Sequence, residues 1–175
     1  MESSPAPRVL IPAEEITRRV SQIGRGLRAD YGTKSPVLVA NLQGAFIFLA
    51  DLCRAMGGPL SVDFMATASY GTATKSSGAV SIVKDLKVDI EGRDVLIVED
   101  IVDTGYTIRY LMEYMALRNP ASVKVCTLLN KKDARKIEVP VDYECFTIPD
   151  RFVVGYGLDF DEKFRELPYI GEIVP

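Results

Sequence analysis

Residues 94–107, DVLIVEDIVDTGYT, constrain the fold more than any other part of this chain. Val95 to Val98 form an unbroken and mostly β-branched apolar run, which is typical of a strand buried on both faces in a parallel sheet. Such a strand delivers the residues after it to its carboxyl edge, where ligands bind in open α/β sheets. The sequence therefore predicts an α/β fold with a binding site directly after this strand.

A helix is predicted to follow the small polar turn at 104–107. Its apolar face is formed by Ile108, Leu111, Met112 and Met115. The helix N-terminus then lies in the turn, where unpaired N–H groups and the positive end of the helix dipole can hold a phosphate. Gly105 allows the backbone to approach the anion closely. The residues predicted to bind the phosphate are Thr104, Gly105, Tyr106 and Thr107.

Three acids lie between the strand and the phosphate turn: Glu99, Asp100 and Asp103. Carboxylates repel a phosphate, so these side chains are expected to bind something other than the phosphate. Ribose hydroxyls, a magnesium ion and a proton are the candidates, because carboxylate oxygens suit all three. The alternative is an ordinary βα unit whose loop is acidic only because loops are polar.

Composition excludes several kinds of chemistry. The chain of 175 residues contains no histidine, which rules out imidazole bases, Ser-His and Cys-His nucleophile pairs and most transition-metal sites. A net charge of −3 without a Lys/Arg cluster argues against a nucleic-acid partner. No apolar run reaches membrane length, so no membrane association is expected. Cys53, Cys126 and Cys145 are predicted to be buried free thiols in a reducing, cytoplasmic compartment.

A second strand-to-helix turn is predicted at the same sheet edge. A buried strand at 37–40 runs into Leu42-Gln43-Gly44, and an apolar helix occupies 45–56. The amides of this turn would also suit an anion, although a tight turn with glycine is often only a turn. The other predicted elements are a helix from Pro12 that ends at Gly32 and strands at 62–68, 80–83, 123–129 and 141–148.

Residues 69–79 contain almost no apolar side chains, which predicts a mobile hairpin tip. Residues 1–7 are expected to be a disordered tail. By composition alone, Phe152, Val153 and Val154 are predicted to be core residues, and Lys131-Lys132 a solvated pair.

Three segments, DVLIVEDIVDTGYT, DRFVVGYGLDF and ASYG, resemble the type I phosphoribosyltransferases, and the Glu99-Asp100 pair resembles their hypoxanthine-guanine branch. The similarity runs from about Val9 to Val174. It implies one domain over residues 1–175 with the type I phosphoribosyltransferase fold, a parallel core sheet flanked by helices. It also implies a flexible lid at 69–79, beginning with Ser69 and Tyr70, and a C-terminal hood at 140–175.

The resemblance further implies an activity. A 5-phosphoribosyl group would pass from phosphoribosyl diphosphate (PRPP) to N9 of hypoxanthine or guanine, giving IMP or GMP and pyrophosphate. Mg²⁺ would be the cofactor, and a homodimer or homotetramer the assembly. Two alternatives stay open: a regulatory protein of the same fold that senses PRPP or nucleotides, and a phosphoribosyltransferase that prefers xanthine.

Residue roles carry over from the same motifs. The resemblance implies that Asp103 is the acid–base residue facing the purine N7, and that Lys131 donates to the purine O6. Implied PRPP ligands are Glu99, Asp100, Asp103, Thr104, Gly105, Tyr106 and Thr107. Implied pyrophosphate ligands are Leu42, Gln43, Gly44 and Arg165, base ligands Lys131, Phe152, Val153 and Asp159, and metal ligands Glu99, Asp100 and Asp159.

Two positions depart from the family pattern or vary within it. Gln43 stands where relatives often carry a basic residue, so the resemblance implies a backbone role at this position without a charge contact from the side chain. Arg151 stands where relatives vary, so no role is assigned to its side chain. The Leu42-Gln43 peptide bond is predicted to be cis, because the family loops that this segment resembles can contain such a bond.

Overall fold

The computed structural model describes residues 7–72 and 75–173, except for the side chains of 69–72 and 75–79. Strands and helices follow one another along the chain. They are β1 (Arg8–Ile11), α1 (Ala13–Tyr31), β2 (Val37–Leu42), α2 (Phe46–Met56), β3 (Ser61–Thr72), β4 (Lys75–Lys84), β5 (Asp94–Val102), α3 (Tyr106–Ala116), β6 (Ser122–Asn130), a 3₁₀ turn (Lys132–Ala134), β7 (Tyr143–Thr147), β8 (Val153–Val154) and β9 (Ile170–Glu172).

Six strands form the main sheet in the order β4-β3-β2-β5-β6-β7. All strands of this sheet except β4 run parallel: β3, β2, β5, β6 and β7. The edge strand β4 is antiparallel to its neighbour β3. β5 lies between β2 and β6, and its residues Val95 to Val98 are fully buried. The predicted central strand and parallel core sheet are therefore confirmed.

Helices cover both faces of this sheet. Alternate strand residues such as Leu38 and Leu96 pack with helices α1 and α2 in one core cluster. Their neighbours Val39 and Ile97 pack with α3 in a second cluster. Burial on both faces explains why the strands are continuous apolar runs rather than alternating patterns.

A second sheet has three antiparallel strands in the order β1-β9-β8. Residues 8–11 enter it as a strand that the sequence did not predict. β9 was not predicted, because three residues with one glycine give too short a pattern. This three-stranded sheet brings residues near both ends of the described chain to the same place.

The exposure of several side chains differs from the sequence predictions. Phe152 is 54% exposed, so its assignment to the core was wrong, whereas Val153 and Val154 are buried. Lys131 is also buried, so the prediction of a solvated lysine pair was wrong for this residue. Cys126 and Cys145 are buried free thiols as predicted, and Cys53 is free but only partly buried.

The predicted hairpin is confirmed by the antiparallel pairing of β3 with β4. The expected lid side chains, Ser69 and Tyr70, and the hairpin tip at 73–74 lie outside the described residues. Of the tail predicted at 1–7, residues 1–6 also lie outside them, whereas Pro7 is described and is buried. None of the helices in the described ranges is long and apolar enough to cross a membrane.

Candidate active site

The carboxyl ends of the parallel strands enclose a pocket of about 260 Å³. It is lined by Asn41, Thr67, Glu99, Asp100, Ile101, Val102, Asp103, Gly105, Thr107 and Ile108. These residues come from β2, β3, β5, the turn after β5, and α3. The sheet edge predicted from residues 94–107 is thus where polar groups converge.

The predicted phosphate turn is held rigidly from outside the pocket. Gly105 is the N-cap of α3 with φ 93°, and a Cβ at this position would lie 2.7 Å from the Ile137 carbonyl oxygen. The Thr104 carbonyl accepts hydrogen bonds from the N–H groups of Lys136 and Ile137, at 3.0 and 3.2 Å. Nε of Arg135 donates to the Asp103 carbonyl at 2.9 Å. The first amides of α3, which have no partner within the helix, are therefore presented by a fixed turn that suits an anion.

Glu99 and Asp100 are consecutive acids in β5, of which Glu99 is buried and Asp100 is partly buried. Burial, with a further contribution from Asp100, raises the pKa of Glu99 well above its ordinary value. Burial also raises the pKa of Asp100 to about 6, although its carboxylate accepts a hydrogen bond from the Ile101 N–H. Nδ2 of Asn41 donates to Oε1 of Glu99 at 3.2 Å and to Oγ1 of Thr67 at 3.1 Å. A cation or a set of hydroxyl donors would relieve this pair.

The second turn lies against Asp100. The Leu42-Gln43 peptide bond is cis, as predicted. A Cβ on Gly44 would lie 1.6 Å from Oδ2 of Asp100, and a Cβ on Gly157 would lie 2.1 Å from the Gly44 carbonyl oxygen. Two glycines therefore allow this turn to fit between the carboxylate and the segment after β8.

Arg165 joins that segment to the turn. Its guanidinium donates to the Gly157 carbonyl at 2.8 Å and to Oε1 of Gln43 at 3.2 Å, and it pairs with Oδ1 of Asp159 at 2.9 Å. The structure thus brings together Gln43, Gly44, Asp159 and Arg165. The Gln43 side chain is uncharged, but its contact with Arg165 places a positive charge beside the turn.

Lys131 and Asp103 follow neighbouring strand ends. The side chain of Lys131 is 9% exposed, and its ammonium pairs with Oδ1 of Asp150 at 3.3 Å. Asp103 lies exposed at the pocket rim, but its carboxyl group is partly buried. This burial raises the pKa of Asp103, although the positive charge of Lys131 acts to lower it. The exposed ring of Phe152 packs edge-on against Phe160, with ring centroids 5.5 Å apart.

Sequence reasoning missed Asn41, Thr67, Arg135 and Asp150. Asn41 immediately precedes the Leu42-Gln43-Gly44 turn, and Asp150 is the first residue of the DRFVVGYGLDF segment, so each lies next to or within a motif that carries predicted site residues. Their partners Glu99 and Lys131 come from other strands. No pattern within one chain segment could have revealed those contacts.

The three acids predicted as metal ligands do not make a closed cage. Across residues 7–72 and 75–173, no group of three or more Asp, Glu, Cys or His side chains is arranged to hold a metal ion. Glu99 and Asp100 are adjacent, while Asp159 is engaged with Arg165. The arrangement offers one or two carboxylates at the pocket, which is the protein share of a typical Mg²⁺ site that is completed by substrate phosphates and water.

A parallel sheet whose carboxyl edge carries a helix N-terminal turn, two consecutive acids and a second glycine turn has the features that suit a phosphorylated sugar or a nucleotide. The chain belongs to the phosphoribosyltransferase family, because the profile of the Phosphoribosyl transferase domain matches residues 12–161.

Similar proteins carry more particular names. The chain is 50% identical to the hypoxanthine-guanine phosphoribosyltransferase of Dictyostelium discoideum, with 94% of each chain covered. It is 47% identical to the hypoxanthine phosphoribosyltransferase of Salmonella typhimurium, over 95% of this chain and 94% of that one. The crystal structure of a hypoxanthine phosphoribosyltransferase from Staphylococcus aureus superposes with a TM-score of 0.92 at 43% identity, covering 96% and 91% of the two chains.

Proposed function

We propose that this protein transfers the 5-phosphoribosyl group of PRPP to N9 of hypoxanthine and guanine, releasing pyrophosphate with IMP or GMP. The observation that carries the proposal is the junction of the Gly105 turn, the Glu99-Asp100 pair and the Gly44 turn at one sheet edge. Family membership and the names of the relatives support the same reaction.

The α3 turn would bind the 5′-phosphate through its amides and threonine hydroxyls. The ribose hydroxyls would then meet Glu99 and Asp100, which lie in the same pocket and need donors. Hydrogen bonds from hydroxyl groups stabilise the charged form of a buried carboxylate. The Gly44 turn and Arg165 would bind the pyrophosphate, where Arg165 supplies the positive charge that Gln43 lacks.

The purine would lie between the pocket and the three-stranded sheet. Lys131 would donate to O6, Phe152 would stack on the ring through its exposed face, and Val153 would contribute backbone groups at the purine edge. Asp103 would face N7 and accept or return a proton as the N9–C1′ bond forms. The pKa of Asp103 is raised toward neutral pH, which makes its carboxyl group better suited to accept and return a proton.

Mg²⁺ fits the donor set, since Glu99 and Asp100 are hard oxygen ligands whose shared charge is poorly solvated. Asp159 would join them after release from Arg165. When bound, the ion neutralises charge on the leaving pyrophosphate. The protein itself would contribute positioning and carboxylates near a ribosyl ring that becomes positive in the transition state.

Other parts of the proposal concern the whole molecule. Residues 69–79 would close over the site and exclude water from the activated sugar, and residues 140–175 would form the hood over the base. The protein would act in the cytoplasm as a homodimer or homotetramer, as one folded domain over residues 1–175.

The experiment is a PRPP-consumption assay with hypoxanthine, guanine, xanthine and adenine in turn, with and without Mg²⁺. We expect turnover of hypoxanthine and guanine, poor use of xanthine, and loss of activity when EDTA removes the metal. A Glu113→Gln variant should behave like wild type in this assay, since Glu113 is an exposed acid on α3 that contacts Arg109 at 3.8 Å. Turnover of xanthine above both other oxopurines, or of no base at all, would contradict the proposal.

A further inference from the structure

Three residues with charged side chains follow the carboxyl ends of three adjacent strands. Asp103 comes one residue after β5, Lys131 one residue after β6, and Asp150 three residues after β7. Backbone hydrogen bonds continue the sheet past the strand ends. The Lys131 N–H donates to the Val102 carbonyl at 2.9 Å, and the Ile148 N–H donates to the Asn130 backbone carbonyl at 3.1 Å. The sheet therefore fixes the backbone of Lys131 beside Val102, and that of Ile148, two residues before Asp150, beside Asn130.

Lys131 is the buried member of this row. Its side chain is 9% exposed, so water cannot fully solvate the ammonium, and a buried ammonium requires an acceptor. Among the described side chains, Asp150 supplies it, at 3.3 Å from Nζ, although the Asp150 side chain itself is 65% exposed. An ammonium has three donors, so this contact leaves others for a ligand oxygen.

We propose that Asp150 is a positioning residue that holds the Lys131 ammonium toward the six-position of the purine before the base arrives. The inference rests on the proposed function and adds a residue that contacts neither substrate nor metal. Asp150 fixes one donor direction of Lys131 and leaves the remaining donors for O6. A preorganised lysine loses less side-chain entropy when the base binds, which strengthens base binding and leaves PRPP binding unchanged.

Asp150 also contributes to the electrostatic surroundings of Asp103. The charged groups near the Asp103 carboxyl are Lys131, Asp150, Arg135 and Lys136. Among them Asp150 alone is negative, and its charge acts with burial to raise the pKa of Asp103. Loss of this charge must lower that pKa. A swing of Lys131 from Asp150 toward Asp103 would lower it further.

The test compares steady-state kinetics of Asp150→Asn, Asp150→Glu and the Glu113→Gln charge control with wild type, with hypoxanthine or PRPP varied. Asp150→Asn should raise the KM for hypoxanthine by about tenfold, a modest loss for a hydrogen bond to a charged group whose partner is exposed. The KM for PRPP should stay within twofold. Asp150→Glu, which keeps the carboxylate, should recover most of the loss, and Glu113→Gln should match wild type.

A pH profile separates positioning from a merely structural effect. With PRPP and Mg²⁺ saturating, the acid limb of kcat/KM for hypoxanthine reports ionisation of the enzyme form that binds the base, and it should move to lower pH in Asp150→Asn but not in Asp150→Glu. An unchanged hypoxanthine KM and acid limb in Asp150→Asn, or a lower KM that indicates competition between Asp150 and the base, would overturn the inference alone. A wild-type protein without oxopurine turnover would refute the proposed function and the inference with it.

Discussion

A methyl group added to Gly44 tests whether the contact between the Leu42-Gln43-Gly44 turn and Asp100 matters for activity. In Gly44→Ala the new Cβ would lie 1.6 Å from Oδ2 and 2.6 Å from Cγ of Asp100. An ordinary contact begins at 3.4 Å, so the carboxylate and the turn must separate by about 1.8 Å. That displacement is comparable with the van der Waals radius of a carbon atom and falls between the proposed ribose and pyrophosphate sites.

The expected result is a loss of activity without a comparable loss of stability. Misplacement of a reacting group by about 1 Å can lower the rate by ~10²-fold, so we expect kcat/KM for PRPP to fall by about that factor. Overpacking typically costs ~1–3 kcal/mol of unfolding free energy. The cost here should be at the low end, because Asp100 gains water when it moves outward.

The assay is steady-state IMP formation with PRPP varied, together with thermal unfolding of the same samples. Gly26→Ala is the matched control, because nothing lies within 4 Å of the Cβ it would add in helix α1. That variant should keep its activity and gain ~0.5–1 kcal/mol of stability, as a helix-interior glycine-to-alanine change does. Wild-type kinetics in Gly44→Ala, with the protein folded, would refute the reasoning about this contact.

Three further changes test individual side chains. Asp103→Asn should lower kcat by ~10²–10⁴-fold with PRPP binding by calorimetry intact, and a near wild-type kcat would remove Asp103 from acid–base catalysis. Wild type should prefer hypoxanthine to adenine by roughly 10⁴ or more in kcat/KM, because the Lys131 ammonium has no acceptor for the adenine amino group; a Lys131→Met variant that still excludes adenine would assign the discrimination to another residue. The pKa of Asp100 is about 6 in the folded protein, above its ordinary value of 3.8, so its contribution to stability is fully present below about pH 4 and is lost as the pH rises through 6. Wild type should therefore lose Tm relative to Asp100→Asn between about pH 4.5 and pH 7.5 in the absence of ligands, and parallel Tm curves would argue against this ionisation.

Local patterns predicted the parts of the fold that depend on neighbouring residues. Residues 95–98 predicted a buried strand because four consecutive apolar side chains need two covered faces, and the structure buries all of them. Gly32 predicted the end of α1 and has φ 56° there. The turn at 104–107 was identified because a strand, a glycine and an amphipathic helix occur within a few residues of one another.

Contacts between distant segments could not be read from the sequence. Composition assigned Phe152 to the core and Lys131 to solvent, and both assignments were wrong. A phenylalanine next to two valines has the pattern of a core residue, and a Lys-Lys pair has the pattern of a surface. Lys131 is buried because Asp150, from the segment after β7, supplies the carboxylate that pairs with its charge. The burial of a charged side chain depends on such a partner, which the local sequence does not specify.

The pairing of β1 with β9 means that the residues proposed to bind PRPP and those proposed to select the base can fold at different times during protein synthesis. Strand β5, the turn at 104–107 and the strands beside β5 emerge from the ribosome well before residue 172, so this part can begin to fold on a nascent chain. The three-stranded sheet requires residues 8–11 and 170–172 together. Val153, which lies in that sheet, reaches its final environment only after residue 172 has been made. A truncated product that ends before β9 would therefore contain the residues proposed to bind PRPP, without the completed surface proposed to select the base.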